Sequence, residues 1–498
     1  MKIKRNLIQT CLPAVVLLQV LSTACASQTG FINLFNFDGS NGADPQASLI
    51  LYGGTLYGTT PESGPLATGY GTLFKINADG TGFTNLYHFS ATTADPSIGA
   101  NTNSDGAYPK AGLILSGNTL YGTATSGGSW GNGTVFAIHT DGTGFTNLFS
   151  FNGSDGAGPY GGSLRIVGST LYGTTIRGGS GGSGTVFTIN TDGTGFTNLY
   201  SFSGNANNGQ NNYTNSDGAD PQSSVILSSS TLYGTTIQGG YGGNGTVFAI
   251  NTNGTGFTNF YSFTASANNG QYIYTNNDGT SPLAGLLIAG SKLFGMTSGG
   301  GNGGSGTLFA INIDGTGLTN LHTFTMGANN GQGAYTNSDG IAPYGSLILA
   351  GSTLYGTASQ GGNAGSGTVF AINTDGTGFT NLYSFTATTP SFGIGTGLTN
   401  SDGAFPASSL ILDGSTLYGT TYQGGSEGYG TLFKLTIPIT LFYHKTASAI
   451  ILSWNDPSFL LQIAPAVTGT YTNIPGATTP YTNTLAGPQK FFRLLASQ

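Results

Sequence analysis

Short apolar runs recur along the chain in a fixed order, broken each time by turn residues. In residues 162–202 they read GSLRIV, STLYGTT, GTVFTIN and GFTNLYSF. The last run alternates: Phe196, Asn198, Tyr200 and Phe202 fall on one face, and Thr197, Leu199 and Ser201 on the other. A period of two is the mark of a strand with one face nearer solvent. The first run is apolar on both faces in several copies, as in Leu347-Ile348-Leu349 and Leu410-Ile411-Leu412. That suits a strand covered on both sides. Gly168 links the first two runs, a glycine-rich loop the second and third, and Thr191-Asp192-Gly193 the third and fourth. Asp-Gly favours a hairpin by supplying a pair of positive φ angles. The pattern predicts a four-stranded antiparallel meander, ordered from an inner to an outer strand.

The unit occurs seven times. TLYGT or its variant centres on Tyr57, Tyr121, Tyr172, Tyr233, Phe294, Tyr355 and Tyr418, at spacings of 64, 51, 61, 61, 61 and 63 residues. GTVF or GTLF follows in each, and a turn ending at Pro45, Pro109, Pro159, Pro221, Pro282, Pro343 or Pro406 precedes each. Seven such sheets set radially make a β-propeller. The seventh unit stops after GTLFKL (430–435), and GFINLFNF (30–37) stands alone at the other end. The expectation is an all-β, seven-bladed propeller whose N-terminal strand completes the last sheet. A different blade count and an open solenoid are the alternatives, but a solenoid needs polar capping repeats and these ends are complementary. Past Pro438 the repeat ceases. Residues 438–498 read as a small β-sandwich-like module, with strands at AIILSWN, FLLQIA, TYTNI and KFFRLL and Trp454 in its core.

Composition changes the picture at the N-terminus. Lys2, Lys4 and Arg5, an apolar stretch to Leu21, and Ala24-Cys25-Ala26 form a secretory signal (1–26) cleaved after Ala26. LSTAC is a poor lipoprotein site, since Ser22 stands where a branched apolar residue belongs. The partition is then 1–26 signal, 27–437 propeller and 438–498 module. Both cysteines, Cys11 and Cys25, leave with the signal, so disulfides, thiol nucleophiles and zinc–thiolate sites are excluded. Of 12 basic and 19 acidic residues three basic ones are removed, which takes the net charge from −7 to −10. A dilute acidic surface without basic clusters argues against nucleic acid and anionic membranes. Past the signal, no apolar run is long enough to span a bilayer. The expected protein is an extracellular monomer without a cofactor.

The phrases LYGTTxxGGxxGxGTVFxIN and DGTGFTNLYSF resemble the GloVer tandem repeat of secreted bacterial proteins with choice-of-anchor termini, over about residues 30–435. The resemblance implies a propeller-like secreted protein and no established catalytic activity. LSW, FLLQ, YTNIPGATTPYT and GPQKFFRL are similar to a short fibronectin-like terminal module. A terminal apolar helix followed by Arg or Lys, which an anchored chain would carry, is missing. Quinoprotein propellers carry tryptophan docking motifs, whereas the repeats here hold Trp130 alone.

Candidate chemistry is sparse. His88, His139, His322 and His444 fall at unrelated repeat positions and read as surface substitutions. Glu62 and Glu427 lie in equivalent loops of the first and seventh units, which a closed circle makes neighbours. They are the one conceivable glycosidase-like pair. Asp105, Asp155, Asp217, Asp278, Asp339 and Asp402, with Asn41 in the first unit, recur in SDG-type turns before the inner strand. An Asx-turn explains them. A calcium loop is the sharper alternative, though the distal Glu of such loops is missing. The long loops before the inner strands, with Tyr213, Tyr274 and Tyr335, should share one face with the glycine-rich loops. Variable loops on a rigid scaffold are where ligands bind. The function expected is non-catalytic recognition of an extracellular glycan or protein by that face, through these Asn, Asp and Tyr residues. A polysaccharide-degrading enzyme and a purely structural surface protein are the alternatives.

Overall fold

The computed structural model describes residues 30–63, 69–207, 213–268, 274–331, 333–390, 397–437, 441–446, 448–454, 459–466, 468–484 and 490–496. The signal read in residues 1–26 lies outside the described residues. Every regular element among the described residues is a strand. Each repeat forms an antiparallel sheet whose four strands pair in chain order. In the third these are Arg165–Val167, Thr170–Thr175, Thr185–Asn190 and Thr197–Ser201. The sixth sheet gains Ile341–Pro343. In the seventh, Ile411–Asp413, Thr416–Thr421 and Thr431–Thr436 are joined at the outer edge by Gly30–Asn36. The phase of the repeat therefore has a physical cause, because the N-terminal strand covers an edge that would otherwise expose unpaired backbone.

Two local expectations need correction. The inner strand is laddered over three residues only, because the chain before it leaves the sheet, with Tyr160, Gly161 and Ser163 lining a small cavity. In the loop between third and outer strands, Gly193 and Gly195 have positive φ (84° and 67°) and Asp192 does not. Asp192 instead accepts from the Thr194 amide at 2.9 Å and the Thr194 hydroxyl at 2.7 Å. Asn253 makes the same two bonds in the fourth unit, so a neutral side-chain oxygen suffices.

The core lies between sheets rather than within them. One cluster joins Tyr57 and Leu73 of the first sheet to Leu120, Phe136 and Ile138 of the second. The same positions recur at the following junctions, and Phe37, Tyr418 and Leu432 of the seventh sheet pack on Leu56, Phe74 and Ile76 of the first. The twelve largest fully buried side chains are all Phe. At each junction a Phe following the outer strand meets a third-strand Phe edge-on, as Phe151 meets Phe187 at 5.2 Å. Phe37 meets Phe74 in that way at 5.3 Å, 37 residues away in sequence but across the first and last sheets in space. Edge-to-face pairs add about 0.5–1.5 kcal/mol to the burial of the rings.

The repeated glycines make room for this packing. A Cβ on Gly173 of LYGT would lie 2.6 Å from Cζ of Phe187, so the ring rests on the bare backbone. A Cβ on Gly184 of GTVF would lie 2.7 Å from Cδ of Pro221 in the next sheet, and one on Gly430 2.8 Å from Cδ of Pro45. The glycine of one unit and the proline of the next form a clasp.

The second compact unit comprises Thr436–Gln498 with the Leu412–Thr416 turn. It contains two three-stranded antiparallel sheets. One is Leu441–Lys445, Ala449–Trp454 and Tyr481–Thr484; the other is Thr472–Asn473, Phe459–Ala464 and Phe491–Ala496. Ile450, Leu452, Trp454, Leu461 and Phe492 form their common core, with Trp454 at the place expected of it. The first and fourth of these strands, counted along the chain as 441–445 and 472–473, carry weak alternation; only the second of the two had been visible in TYTNI.

Candidate functional site

The SDG acids fall into two groups, one buried and one in short loops. Asp105, Asp217, Asp278, Asp339 and Asp402 are buried. Oδ2 of Asp217 accepts from the Tyr200 hydroxyl and the Ser203 amide, both at 2.9 Å, and Oδ1 accepts from the Ser203 hydroxyl. Asp105, Asp278 and Asp402 repeat this with Tyr87, Tyr261 and Tyr383. Burial first, and then the neighbouring carboxylate, raise these phenols well above the ordinary tyrosine range. The preceding Asn completes a latch. Asn215 Oδ1 accepts from the Gly218 and Gly240 amides at 2.8 and 2.9 Å, tying two loops of one face together. In the two short loops, Asn41 Oδ1 accepts from Asp38 N–H at 3.1 Å and Asp155 Oδ1 from Asn152 N–H at 2.9 Å. Burial raises the half-buried Asp155 carboxyl, and backbone hydrogen bonds oppose it.

The structure places the oxygens of these residues in hydrogen bonds from N–H and O–H donors of the chain, which lock the loops. Among the described residues no group of three or more His, Cys, Asp or Glu could hold a metal ion. His322 is corrected. It replaces the latch tyrosine, with Nε2 3.0 Å from Asp339 Oδ2 and its ring stacked on Phe379 at 3.9 Å. Tyr335 is 53% exposed at a loop hairpin. The side chains of Tyr213, Tyr274 and His444 lie outside the described residues.

What the structure does bring together is the chain on either side of each repeated proline. The residue before it is Asp44, Tyr108, Gly158, Asp220, Ser281, Ala342 or Phe405, always at φ between 53° and 63°. Six carry side chains, and each left-handed residue of that kind costs about 1–2 kcal/mol. The conformation is held because the amide crosses to the preceding sheet: Asp220 N–H to Ser183 C=O at 2.9 Å, Phe405 to Ser366 at 2.8 Å, Asp44 to Tyr429 at 3.0 Å. Strain maintained at equivalent places often marks a functional surface.

The residue after the proline is Gln46, Lys110, Tyr160, Gln222, Leu283, Tyr344 or Ala407, and all seven face one central throat of about 70 Å³. Serines follow behind them, including Ser48, Ser163, Ser224, Ser346 and Ser409. Gln46, Tyr344 and Ala407 also border a second pocket of about 400 Å³, closed by Ser359, Gln360, Phe405, Tyr422 and Gln423. That size is in the range of small-ligand sites.

Charge gathers beside this mouth. Burial, then Glu62, push the Asp44 carboxyl up to about 7, against the pull of Lys110. Burial also raises Glu62, again opposed by Lys110. Tyr422 is raised by burial and then by Asp44 and Glu62. The Lys110 ammonium lies 4.8 Å over the Tyr160 ring and donates to its hydroxyl at 3.5 Å. Glu62 thus acts on Asp44 and is itself acted on by Lys110, whereas Glu427 is exposed. The acid whose charge is felt together with that of Glu62 is Asp44. Sequence reasoning missed Asp44, Lys110, Tyr160, Tyr344, Phe405 and Tyr422. The available signal was the variation of single positions flanking an unvarying proline.

Repeated four-stranded antiparallel sheets define a propeller-like, all-β repeat protein. The chain belongs to the Gloeobacter/Verrucomicrobia repeat family, whose signature matches residues 96–216 and 272–405. No curated protein matches the chain. Among solved structures it is similar to the extracellular domain of a putative one-component system from B. thetaiotaomicron, at 10% identity and TM-score 0.46, over 92% of this chain and 48% of that one. It is similar to PorZ, a surface component of the type-IX secretion system of Porphyromonas gingivalis, at 13% identity and TM-score 0.46, over 90% and 56%. An oligogalacturonate lyase in complex with manganese matches at 10% identity and TM-score 0.48, over 86% and 97%. The chain thus spans about half the length of the first two. No helix among the described residues is long and apolar enough to cross a membrane.

Proposed function

We propose that the seven sheets are the blades of a closed propeller, and that this secreted protein is a non-catalytic binder of extracellular carbohydrate or protein through the mouth of its loop-rich face. One observation carries the reading. Seven equivalent backbone positions, held alike by clasp and cross-sheet hydrogen bond, present side chains of five different kinds (Gln, Lys, Tyr, Leu and Ala) to one opening. Packing alone would repeat the residue, as it repeats the Phe, Gly and Pro. The test is binding of the full chain to arrays of oligosaccharides and extracellular proteins, against a variant with Gln46, Tyr344 and Gln423 changed to Ala. Loss of binding in the variant supports the reading; a ligand held equally well by both forms sinks it.

Asp44 favours a second reading. A carboxyl pushed up to about 7 beside a second acid can hold a proton near neutral pH, as a general acid must. An enzyme acting on polysaccharide would then use Asp44 and Glu62. Release of reducing ends by the full chain, abolished in Asp44→Asn, would establish this reading over the first.

A further inference from the structure

Resting on the binding reading, we infer that the 400 Å³ pocket between the sixth, seventh and first sheets takes an uncharged sugar segment, stacked on Tyr344 and hydrogen-bonded by Gln46, Gln360 and Gln423. Tyr344 is 40% exposed although it stands at the centre of the face, and it borders both the throat and the side pocket. An aromatic ring with a free face is a platform for the C–H face of a pyranose. Tyr and Trp serve such sites because they join apolar area to a polar tip. Three glutamines from three different sheets meet around it. A primary amide offers two donors and an acceptor, which matches hydroxyl groups that both donate and accept.

Charge sets the sign of the preference. The acids near Tyr422 are Asp44 and Glu62, and the cation facing them is Lys110, already seated on Tyr160. The pocket lining itself carries no ionised side chain: Gln46, Tyr344, Ser359, Gln360, Phe405, Ala407, Tyr422 and Gln423 are all neutral. An anionic ligand, whether a uronate, a sulfated glycan or an acidic peptide, would enter without a free counter-charge and beside two acidic groups, Asp44 and Glu62. A neutral glycan loses nothing by the missing cation. A basic peptide would find acids at the edge but no buried anion in the pocket to pair with, and its long side chains would not use the flat face of Tyr344.

The experiment titrates the full chain calorimetrically with cellohexaose, maltohexaose, mannohexaose and xylohexaose, with a uronic-acid hexamer, and with mixed acidic and basic peptide libraries. The parent is compared with Tyr344→Ala, with Gln423→Ala, and with Tyr241→Ala on an outer loop where Tyr241 is 78% exposed. The expected result is saturable binding of at least one neutral hexamer. Tyr344→Ala should weaken it at least tenfold, Gln423→Ala about three- to tenfold, and Tyr241→Ala not at all. Binding of none of the neutral hexamers overturns the inference. A uronate or peptide bound in a Tyr344-dependent way overturns the sugar class while leaving the mouth as the site. Binding that survives Tyr344→Ala and falls with Tyr241→Ala overturns both. Circular dichroism of each variant separates misfolding from lost contact, and Tyr344→Phe, which keeps the ring, should retain most of the affinity.

Discussion

Pro45 and its two neighbours contain the contrast that organises this molecule. The proline recurs in all seven units and packs against a glycine of the preceding sheet. Asp44 and Gln46, one residue away on each side, recur only as Asp220 and Gln222 in the fourth unit; the other five units carry different residues there. The clasp is invariant because a Cβ on the glycine or a lost proline would disturb a junction in the same way wherever it occurred. The flanking positions vary although their backbone does not. The holding power of the fold and the chemistry of its mouth are thus carried by adjacent residues with little energetic overlap, and each can be attacked separately.

The largest effect should come from deleting residues 30–37. That removes the outer strand of the seventh sheet and with it Phe37, which is fully buried against Phe74, and Phe31, stacked on Tyr383 at 4.1 Å. Truncating one buried Phe costs about 3–5 kcal/mol, so losing these together with an edge of backbone pairing should cost more than about 5 kcal/mol. Denaturant unfolding of the truncated chain should show a lost or much earlier transition. A curve matching the parent's would mean that the circle is not closed by this strand.

A closer probe of closure compares Gly430→Ala with Gly184→Ala. Both glycines have positive φ (93° and 101°), and at both a Cβ would collide with a strand carbonyl and with the proline of the next sheet. Each substitution should cost about 2–4 kcal/mol. If the first and seventh sheets were apart, Gly430→Ala would be markedly milder.

Smaller effects distinguish latch from mouth. Asp217→Ala leaves the Tyr200 hydroxyl and the Ser203 amide without their acceptor and should cost about 1–3 kcal/mol. Chelator should leave the melting temperature of the parent unchanged, since both carboxylate oxygens are occupied by protein donors; a fall on adding chelator would reinstate a metal. At Asp44 the sign is opposite. Its carboxyl is raised from 3.8 to about 7, so its stabilising contribution is complete below pH 3.8 and is lost as pH rises through about 7. Asp44→Asn should therefore melt higher than the parent above pH 7, relative to their difference near pH 4. At Asp339 burial opposes the charge, but hydrogen bonds from His322 and Thr325 outweigh it and hold the carboxyl below its usual range. The stability it supplies is present above the ordinary carboxylate pKa and is lost as pH falls through the lower folded value. Asp339→Asn should accordingly be most damaging at neutral pH.

The sheets were legible in the sequence because period-two alternation, Gly-rich turns and sevenfold repetition all report the same packing. The completing role of 30–37 was legible from phase alone. The mouth was not, for a physical reason. Repetition highlights what packing requires, so Asp217 and its equivalents attracted attention although they are buried latches. Lys110, Tyr160 and Tyr344 attract none in a one-dimensional reading, because nothing before folding shows that these residues, each just after a proline and 50 to 234 residues from one another, meet at one opening. His322 was misread for the converse reason: it looks like an isolated substitution until Asp339 is placed beside it.

The most direct test of the account is the melting temperature and the hexasaccharide affinity of one variant, in which Gln46, Tyr160, Gln222, Leu283 and Tyr344 are all changed to Ala. Partly exposed side chains away from core, caps and buried networks usually contribute no more than about 0.5 kcal/mol each. The account predicts a midpoint shifted by a few degrees at most, together with loss of binding. A collapse of stability comparable to that of Gly184→Ala, or an affinity equal to the parent's, would contradict it.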